Sequence, residues 1–254
     1  MRDLLVIVPS RGRPAAVAEL RSAIRATSNA RTDLIVAFDD DDPERGAYQR
    51  MRAASRQDRR VMWATGPRAP LARWTNQLAV AHAPRYRAVC SMGDDHRPRT
   101  PGWDVLLLAA LDETGGTGVA YGDDLLMGAK LPTAAVVSSD IVAALGWMCQ
   151  PSLRHYCVDN VWHVLGASAG CLHYLPDVVI EHLHPLRTHA VPDRTYREAE
   201  ARATADHDAF RCWVAGDAVA DIAVVRNLLR RECLTTRLSA TCTAARCGPS
   251  SARR

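Results

Sequence analysis

The segment YRAVCSMGDDH, residues 86–96, joins a short apolar run to a glycine, two carboxylates and an imidazole. Ala88, Val89 and Cys90 form the centre of the run and predict a buried strand. Ligands of an open α/β sheet bind at the carboxyl ends of its strands, so charged side chains directly after a strand indicate a site. Adjacent carboxylates repel one another, and a hard divalent ion carried by a phosphate-bearing substrate would offset that repulsion. The alternative is a solvated turn, because Gly-Asp-Asp is ordinary turn chemistry.

The amino-terminal part of the chain predicts a βαβ unit. Leu4–Val8 is a continuous apolar run, typical of a strand that is buried on both faces, and PSRGRP at 9–14 ends it. A helix is predicted from Ala15 to Thr27, which completes strand, loop and helix. The loop contains neither a Walker A motif nor a G-x-G-x-x-G pattern.

A second buried strand is predicted at Asp33–Phe38, and four consecutive aspartates follow it. Asp39 is the first residue past the strand, where it could accept hydrogen bonds from a base or a ribose. Asp41 and Asp42 are expected to lie in solvent, because four neighbouring carboxylates cannot all be buried.

Four later residues are further candidates. Asn76 lies in a helix predicted over Leu71–Ala83, where a solvent-facing or capping amide is the simpler interpretation. Asp159 opens a further helix, and a helix cap and a catalytic base remain equally open there. The last strand is predicted at Val178–Pro185, and it places His182 and His184 on one face as a candidate pair of metal ligands.

The composition excludes several classes of protein. A chain of 254 residues with 48% hydrophobic content can bury one large core. The net charge of +4 is modest, and no arginine patch alternates with aromatics, which argues against a nucleic-acid footprint. The eight cysteines form no C-x-x-C pair, so we expect no structural zinc but reduced thiols in the cytoplasm. The longest apolar run, Val105–Leu111, is too short to span a bilayer, and no secretory signal precedes the first strand.

The order and spacing of these parts resemble a GT-A fold glycosyltransferase of the family 2 type, particularly short versions from phages and actinobacteria. The resemblance covers Leu4 to Pro185. It implies an α/β fold with a mixed, mostly parallel sheet flanked by helices, and a helical C-terminal extension. We therefore expect a catalytic domain at 1–186, a helical extension packed on it at 187–233, and a disordered tail at 234–254. Within the extension, helices are predicted at Tyr196–Trp213 and Asp217–Arg231.

The resemblance also implies roles for the candidate residues. The nucleotide-sugar would be bound by residues from the loops after the first strands and from the central acidic motif: Pro9, Ser10, Arg11, Arg13, Asp39, Arg68, Asn76 and Asp94. The metal, Mn²⁺ or Mg²⁺, would be bound by Asp94, Asp95, His96, His182 and His184. Asp159 would be the general base of an inverting enzyme. His96 stands where the family commonly has a third acidic residue, which leaves the direct ligands open.

The implied reaction is metal-dependent transfer of a sugar from a UDP- or GDP-sugar to an acceptor hydroxyl on a glycan, a protein or a modified DNA base. The location would be the cytoplasm, or the host cytoplasm for a phage protein. A sugar-nucleotide or glycan-binding module without catalysis is an alternative, and donor hydrolysis would distinguish it. A nucleotidylyltransferase would need a glycine-rich loop and a lysine after the first strand, and residues 10–13 contain no lysine.

Overall fold

The computed structural model describes residues 2–184 and 194–231. Its centre is a sheet made of β1 (Arg2–Pro9), β2 (Thr32–Asp39), β3 (Val61–Gly66), β4 (Tyr86–Ser91), β5 (His96–Pro98), β6 (Val119–Asp123), β7 (Val136–Ser138) and β8 (Leu172–His182). The strand order is β3-β2-β1-β4-β7-β6-β8-β5. Strands β1 to β4 are parallel, β7 is antiparallel to both of its neighbours, and β5 is antiparallel to β8. The predicted mixed, mostly parallel sheet is confirmed.

Helices cover both faces of the sheet. They are α1 (Pro14–Thr27), α2 (Arg45–Ala54), α3 (Leu71–His82), α4 (Trp103–Asp112), α5 (Ser139–Leu145), α6 (Val158–Ala169), α7 (Arg194–Glu200), α8 (Ala203–Ala215) and α9 (218–231). Among the described residues, no helix combines the length and the apolarity needed to cross a membrane.

The continuous apolar run of β1 is explained by burial on both faces. Leu4, Val6 and Val8 face the core that α1 covers, whereas Leu5 and Ile7 face the core that α3 covers. All five side chains have no solvent exposure. Burying each of them contributes about 1.5–3 kcal/mol, so β1 anchors the sheet from which the site loops project.

Two element predictions were wrong in detail. The helix predicted as continuous over Tyr196–Trp213 is divided into α7 and α8 at residues 201–202. Strand β8 begins at Leu172, six residues before the predicted start at Val178, and its register with β6 shifts after Gly122. This irregularity accommodates Pro176, which cannot donate to the ladder. Pro185, the residues up to 193 and the tail from 234 lie outside the described residues.

Candidate functional site

Three neighbouring strands, β2, β1 and β4, end at the same edge of the sheet. The loops that follow them carry Asp39, Ser10 and the acidic motif of Asp94 and Asp95. Parallel strands therefore bring together residues that lie more than 80 positions apart in sequence. This convergence was predicted from the strand ends.

Asp39 is buried, and both of its carboxylate oxygens already accept hydrogen bonds. Its Oδ1 accepts from Trp74 Nε1 at 2.8 Å and from the Ala69 backbone N–H at 3.2 Å. Its Oδ2 pairs with the Arg11 guanidinium at 2.8 Å, and Arg11 also reaches Asp41 at 2.6 Å. Arg11 and Asp39 thus tie the loop after β1 to the loop after β2.

The run of four aspartates predicted that Asp42 lies in solvent, and this prediction was wrong. The residue is buried, with only 5% of its surface exposed. Its carboxylate accepts the backbone N–H of Gly12 at 2.9 Å and that of Glu44 at 2.7 Å. These donors replace the water that the sequence argument assumed. Asp41 does remain exposed.

Asp94 faces the loop after β1. Ser10 Oγ donates to Asp94 at 2.6 Å and lies 2.8 Å from the Tyr48 hydroxyl, and the Arg13 guanidinium is 3.2 Å from the other carboxylate oxygen. Burial raises the pKa of Asp94 to about 6, even though the charge of Arg13 lowers it. The Tyr48 hydroxyl also accepts the Arg13 backbone N–H at 2.9 Å, a contribution that the sequence did not predict.

Asp95, His96 and His182 form the other half of the site, which we call the His–Asp cluster. One nitrogen or oxygen of each lies within 4.8 Å of the others. His96 is paired directly opposite His182 across β5 and β8, and their rings stack with centroids 4.2 Å apart. Asp95 lies 3.3 Å from His96 Nδ1 and 3.4 Å from His182 Nε2.

The electrostatics of the cluster suit a cation. Burial alone would raise the pKa of Asp95, but the hydrogen bonds and charges of His182 and His96 hold it well below its usual range. The nitrogens nearest Asp95 are His96 Nδ1 and His182 Nε2. The other two ring nitrogens, His96 Nε2 and His182 Nδ1, are buried and have no hydrogen-bond partner among the described residues. Two imidazoles and a carboxylate therefore fit a divalent transition metal.

Helix α7 covers the cleft between these two halves. The Tyr196 hydroxyl donates to Asp95, and the Arg13 guanidinium lies 4.3 Å from the centroid of the Tyr196 ring. Tyr196 also contacts His184, whose ring is 5.2 Å from that of His182. Sequence reasoning missed Tyr196, because nothing local distinguishes it from other helical tyrosines.

Two further contacts hold α7 against predicted donor-binding residues. Thr195 Oγ1 donates to the Arg11 carbonyl at 3.2 Å, and Glu198 pairs with Arg68. Residues 194–198 therefore contact five predicted site residues, namely Arg11, Arg13, Arg68, Asp95 and His184.

Asp159 lies in the first turn of α6. Burial raises the pKa of Asp159 to about 6; the charge of His182 lowers it and that of Asp124 raises it. Asp124 itself is 4.0 Å from His182 Nδ1. Asp159 has no hydrogen bond or ion pair with the residues at 2–184 and 194–231, so its oxygens can accept a proton.

The segment that leads to Asp159 is held at two places. Asn76 Oδ1 accepts the N–H groups of Met148 at 2.8 Å and Cys149 at 2.6 Å, and its Nδ2 donates to the Cys149 carbonyl at 2.7 Å. Buried Asp206 of α8 accepts three consecutive backbone N–H groups, those of residues 154–156, at 2.8–2.9 Å. Asn76 thus contacts this segment rather than the cleft, and Asp206 ties the C-terminal helices to it.

No family model matches the chain, and no curated protein matches it. Solved structures do match. TarS of S. aureus has a TM-score of 0.55 at 11% identity, over 70% of this chain and 59% of that one. The mannosyltransferase PcManGT of Pyrobaculum calidifontis, in complex with GDP-Man and Mn²⁺, has a TM-score of 0.60 at 16% identity, over 98% and 79%. GalNAc-T7, with UDP, GalNAc and Mn²⁺, has a TM-score of 0.58 at 9% identity, over 72% and 44%.

These matches establish that the chain has the GT-A fold, which the sequence resemblance predicted. This chain spans less than two thirds of two of the matched chains, 59% of the TarS chain and 44% of the GalNAc-T7 chain. The match to PcManGT extends over nearly the whole of this chain.

Proposed function

We propose that this protein is a metal-dependent glycosyltransferase that moves a sugar from a UDP- or GDP-sugar to an acceptor hydroxyl. One observation carries the proposal: Asp159, a partly buried carboxylate with no hydrogen-bond partner among residues 2–184 and 194–231, lies close enough to the His–Asp cluster for the charge of His182 to lower its pKa. The GT-A fold supports it, because the three matched proteins bear transferase names or are described with nucleotides or sugars.

Asp95, His96 and His182 would hold the metal. Mn²⁺ fits this donor set better than Mg²⁺, which prefers a nearly complete shell of oxygen ligands. Bound there, the ion would supply Lewis-acid stabilisation of the charge on the diphosphate leaving group. Asp94 and His184 flank the cluster. We propose that Asp94, which contacts Ser10 and Arg13, helps to bind the donor, and that His184 positions the His182 ring.

The donor would lie along the loops after β1, β2 and β3. Pro9, Ser10 and Asp39 would line the nucleoside end, and the guanidinium groups of Arg11, Arg13 and Arg68, which pair with carboxylates in this structure, would exchange part of those contacts for the diphosphate. Contacts of α7 with this region, Tyr196 to Asp95 and Glu198 to Arg68, would be exchanged for contacts with the donor.

Asp159 would act as the general base. Its carboxylate removes the proton from the acceptor hydroxyl while the oxygen attacks the anomeric carbon from the face opposite the nucleotide. The bond to the diphosphate breaks and the configuration is inverted. A pKa of about 6 suits this role, because the group is ionised at neutral pH and remains a competent proton acceptor. Such assistance typically gives about 10²–10⁴-fold in rate.

We place the protein in the cytoplasm. The cysteines at 90, 149, 157, 171 and 212 are all free thiols, which is consistent with a reducing compartment.

The first test is thermal stabilisation by UDP, GDP, TDP and CDP, each with Mn²⁺, with Mg²⁺ and with a chelator. A ligand that binds only the native state adds about 2.7 kcal/mol at a hundredfold excess over its dissociation constant. We expect a shift with one nucleotide that requires Mn²⁺. No shift with any nucleotide would contradict the proposal.

The second test separates catalysis from binding. Asp159→Asn should retain the nucleotide shift and lose hydrolysis of the donor, whereas the matched control Asp208→Asn, an exposed residue of α8, should retain both. A wild-type protein that binds the donor but never hydrolyses or transfers the sugar would instead be a binding module.

A further inference from the structure

A second concave site lies at the opposite edge of the sheet. A cavity of about 650 Å³ opens between the C-terminal ends of α1 and α2 and the first residues of β2 and β3. Strand β2 separates the two sites: Thr32 and Leu34 line the cavity at its start, and Asp39 belongs to the cleft at its end. Eight residues of strand span roughly 25 Å, so a ligand in the cavity would not touch the donor cleft.

The rim of this cavity is strongly basic. It contains the guanidinium groups of Arg21, Arg25, Arg59 and Arg60 and a single carboxylate, that of Asp58. Arg21 lies 3.4 Å from Asp58. In the part of the chain that the structure describes, the other three arginine side chains have neither a hydrogen bond nor an ion pair. This contrasts with Arg2, Arg31 and Arg97, each of which pairs with a carboxylate.

The floor of the cavity is apolar. Ile24 and Leu34 are almost fully buried beneath it, and Val61 is partly buried beside them. Two hydroxyl groups in the wall already have partners: Thr32 Oγ1 donates to Asp104 at 2.6 Å, and Ser28 Oγ accepts from Trp103 Nε1 at 3.2 Å. Three guanidinium groups of the rim, those of Arg25, Arg59 and Arg60, therefore have no partner among the described residues, and the surface below them is apolar.

We propose that this basic cavity binds a phosphate monoester that carries a compact apolar group. Guanidinium groups match the oxygens of a phosphate with forked hydrogen bonds, and four of them line this one cavity. The apolar group would lie on Ile24, Leu34 and Val61. The volume falls in the range of small-molecule sites, about 300–1,000 Å³, so inorganic phosphate alone would leave most of it unfilled.

The test follows the methyl NMR signals of Ile24, Leu34 and Val61 during titration with phenyl phosphate. Inorganic phosphate supplies the anion without the apolar group, and benzyl alcohol supplies the apolar group without the anion. We expect a saturable shift with phenyl phosphate and at least tenfold weaker binding of the other two compounds. Because the readout is local, binding in the donor cleft would not be mistaken for binding here, and failure of the proposed transferase activity would leave the result unchanged.

Substitutions test whether the arginines bind the phosphate. Arg59→Gln combined with Arg60→Gln should weaken phenyl phosphate binding at least tenfold, since both residues are exposed and the fold does not depend on their side chains. The matched control is Arg50→Gln, an exposed arginine of α2 outside the cavity, which should change binding less than twofold. No methyl shift up to about 10 mM phenyl phosphate, equal binding by the double variant, or equally tight binding of benzyl alcohol would overturn the proposal.

Discussion

Replacing Asp159 with asparagine should stabilise the protein at neutral pH while removing its proposed catalytic base. The carboxyl has a pKa of about 6 in the folded chain against an ordinary 3.8. At about 1.36 kcal/mol per pKa unit, ionised Asp159 lowers the free energy of unfolding by about 3 kcal/mol. The helix dipole stabilises the ionised carboxylate in the first turn of α6 by about 0.5 kcal/mol, and the uncharged asparagine would lose this stabilisation. The expected net gain is about 2.5 kcal/mol above pH 7.

The pH dependence fixes the sign of this prediction. Below pH 3.8 the carboxyl is protonated in both states, so wild type and Asp159→Asn should be equally stable apart from packing. Between 3.8 and about 6 only the unfolded chain loses the proton, so wild-type stability falls relative to the variant as the pH rises. Above about 6 the difference is constant.

The assay is the melting temperature in chelator at a series of pH values from 4 to 8. For a chain of this length, about 2.5 kcal/mol corresponds to about 5–10 °C in melting temperature. The control Asp208→Asn should show no pH-dependent gain, because that carboxylate is exposed. A variant that is equally or less stable at pH 8 would refute the reasoning, because burial would then not be penalising the ionised carboxylate.

Three further predictions concern the same region. Tyr196→Phe should tighten Mn²⁺ binding, measured by calorimetry, about tenfold or more. The Tyr196 hydroxyl donates a hydrogen bond to Asp95, and a hydrogen bond to an ionised group is worth about 1.5–3 kcal/mol, so its removal frees Asp95 for the metal. Unchanged affinity would contradict this prediction. Asp206→Ala should lower the free energy of unfolding, measured in urea, by at least about 3 kcal/mol, because three backbone N–H groups lose their acceptor. A loss below about 1 kcal/mol would show that water replaces the carboxylate. The rate of donor hydrolysis should rise with pH through about 6 as Asp159 ionises, and a flat profile from pH 5 to 8 would remove Asp159 as the base.

The sequence predicted those parts of the site that depend on strand ends. Apolar runs located β1, β2 and β4, and parallel pairing then placed the residues after them at one edge. The position of His182 at the site was predicted from the alternation of side chains along the last strand. The GT-A fold was predicted from the order of these parts, since no single motif would have been specific.

Contacts between residues that are distant in sequence could not be predicted from local sequence patterns. Tyr196 and Asp95 are 101 residues apart, and α7 shows no spacing that marks it as a cover for the cleft. The burial of Asp42 depends on two backbone donors from loops that the sequence predicts only as polar. Strand β5 is three residues long, too short for any periodicity, yet it sets His96 opposite His182.

The pairing of β5 with β8 has a consequence for the order in which the protein is made. Asp95 and His96 leave the ribosome 86 residues before His182. A nascent chain that ends between them offers a metal ion only two neighbouring donors, which compete poorly with water and with cellular chelators. The third donor arrives with the final strand of the sheet, so complete coordination is possible only after synthesis has passed that strand. On the proposal that this cluster binds the metal, loading would coincide with completion of the sheet, and chains truncated before β8 would not hold the ion.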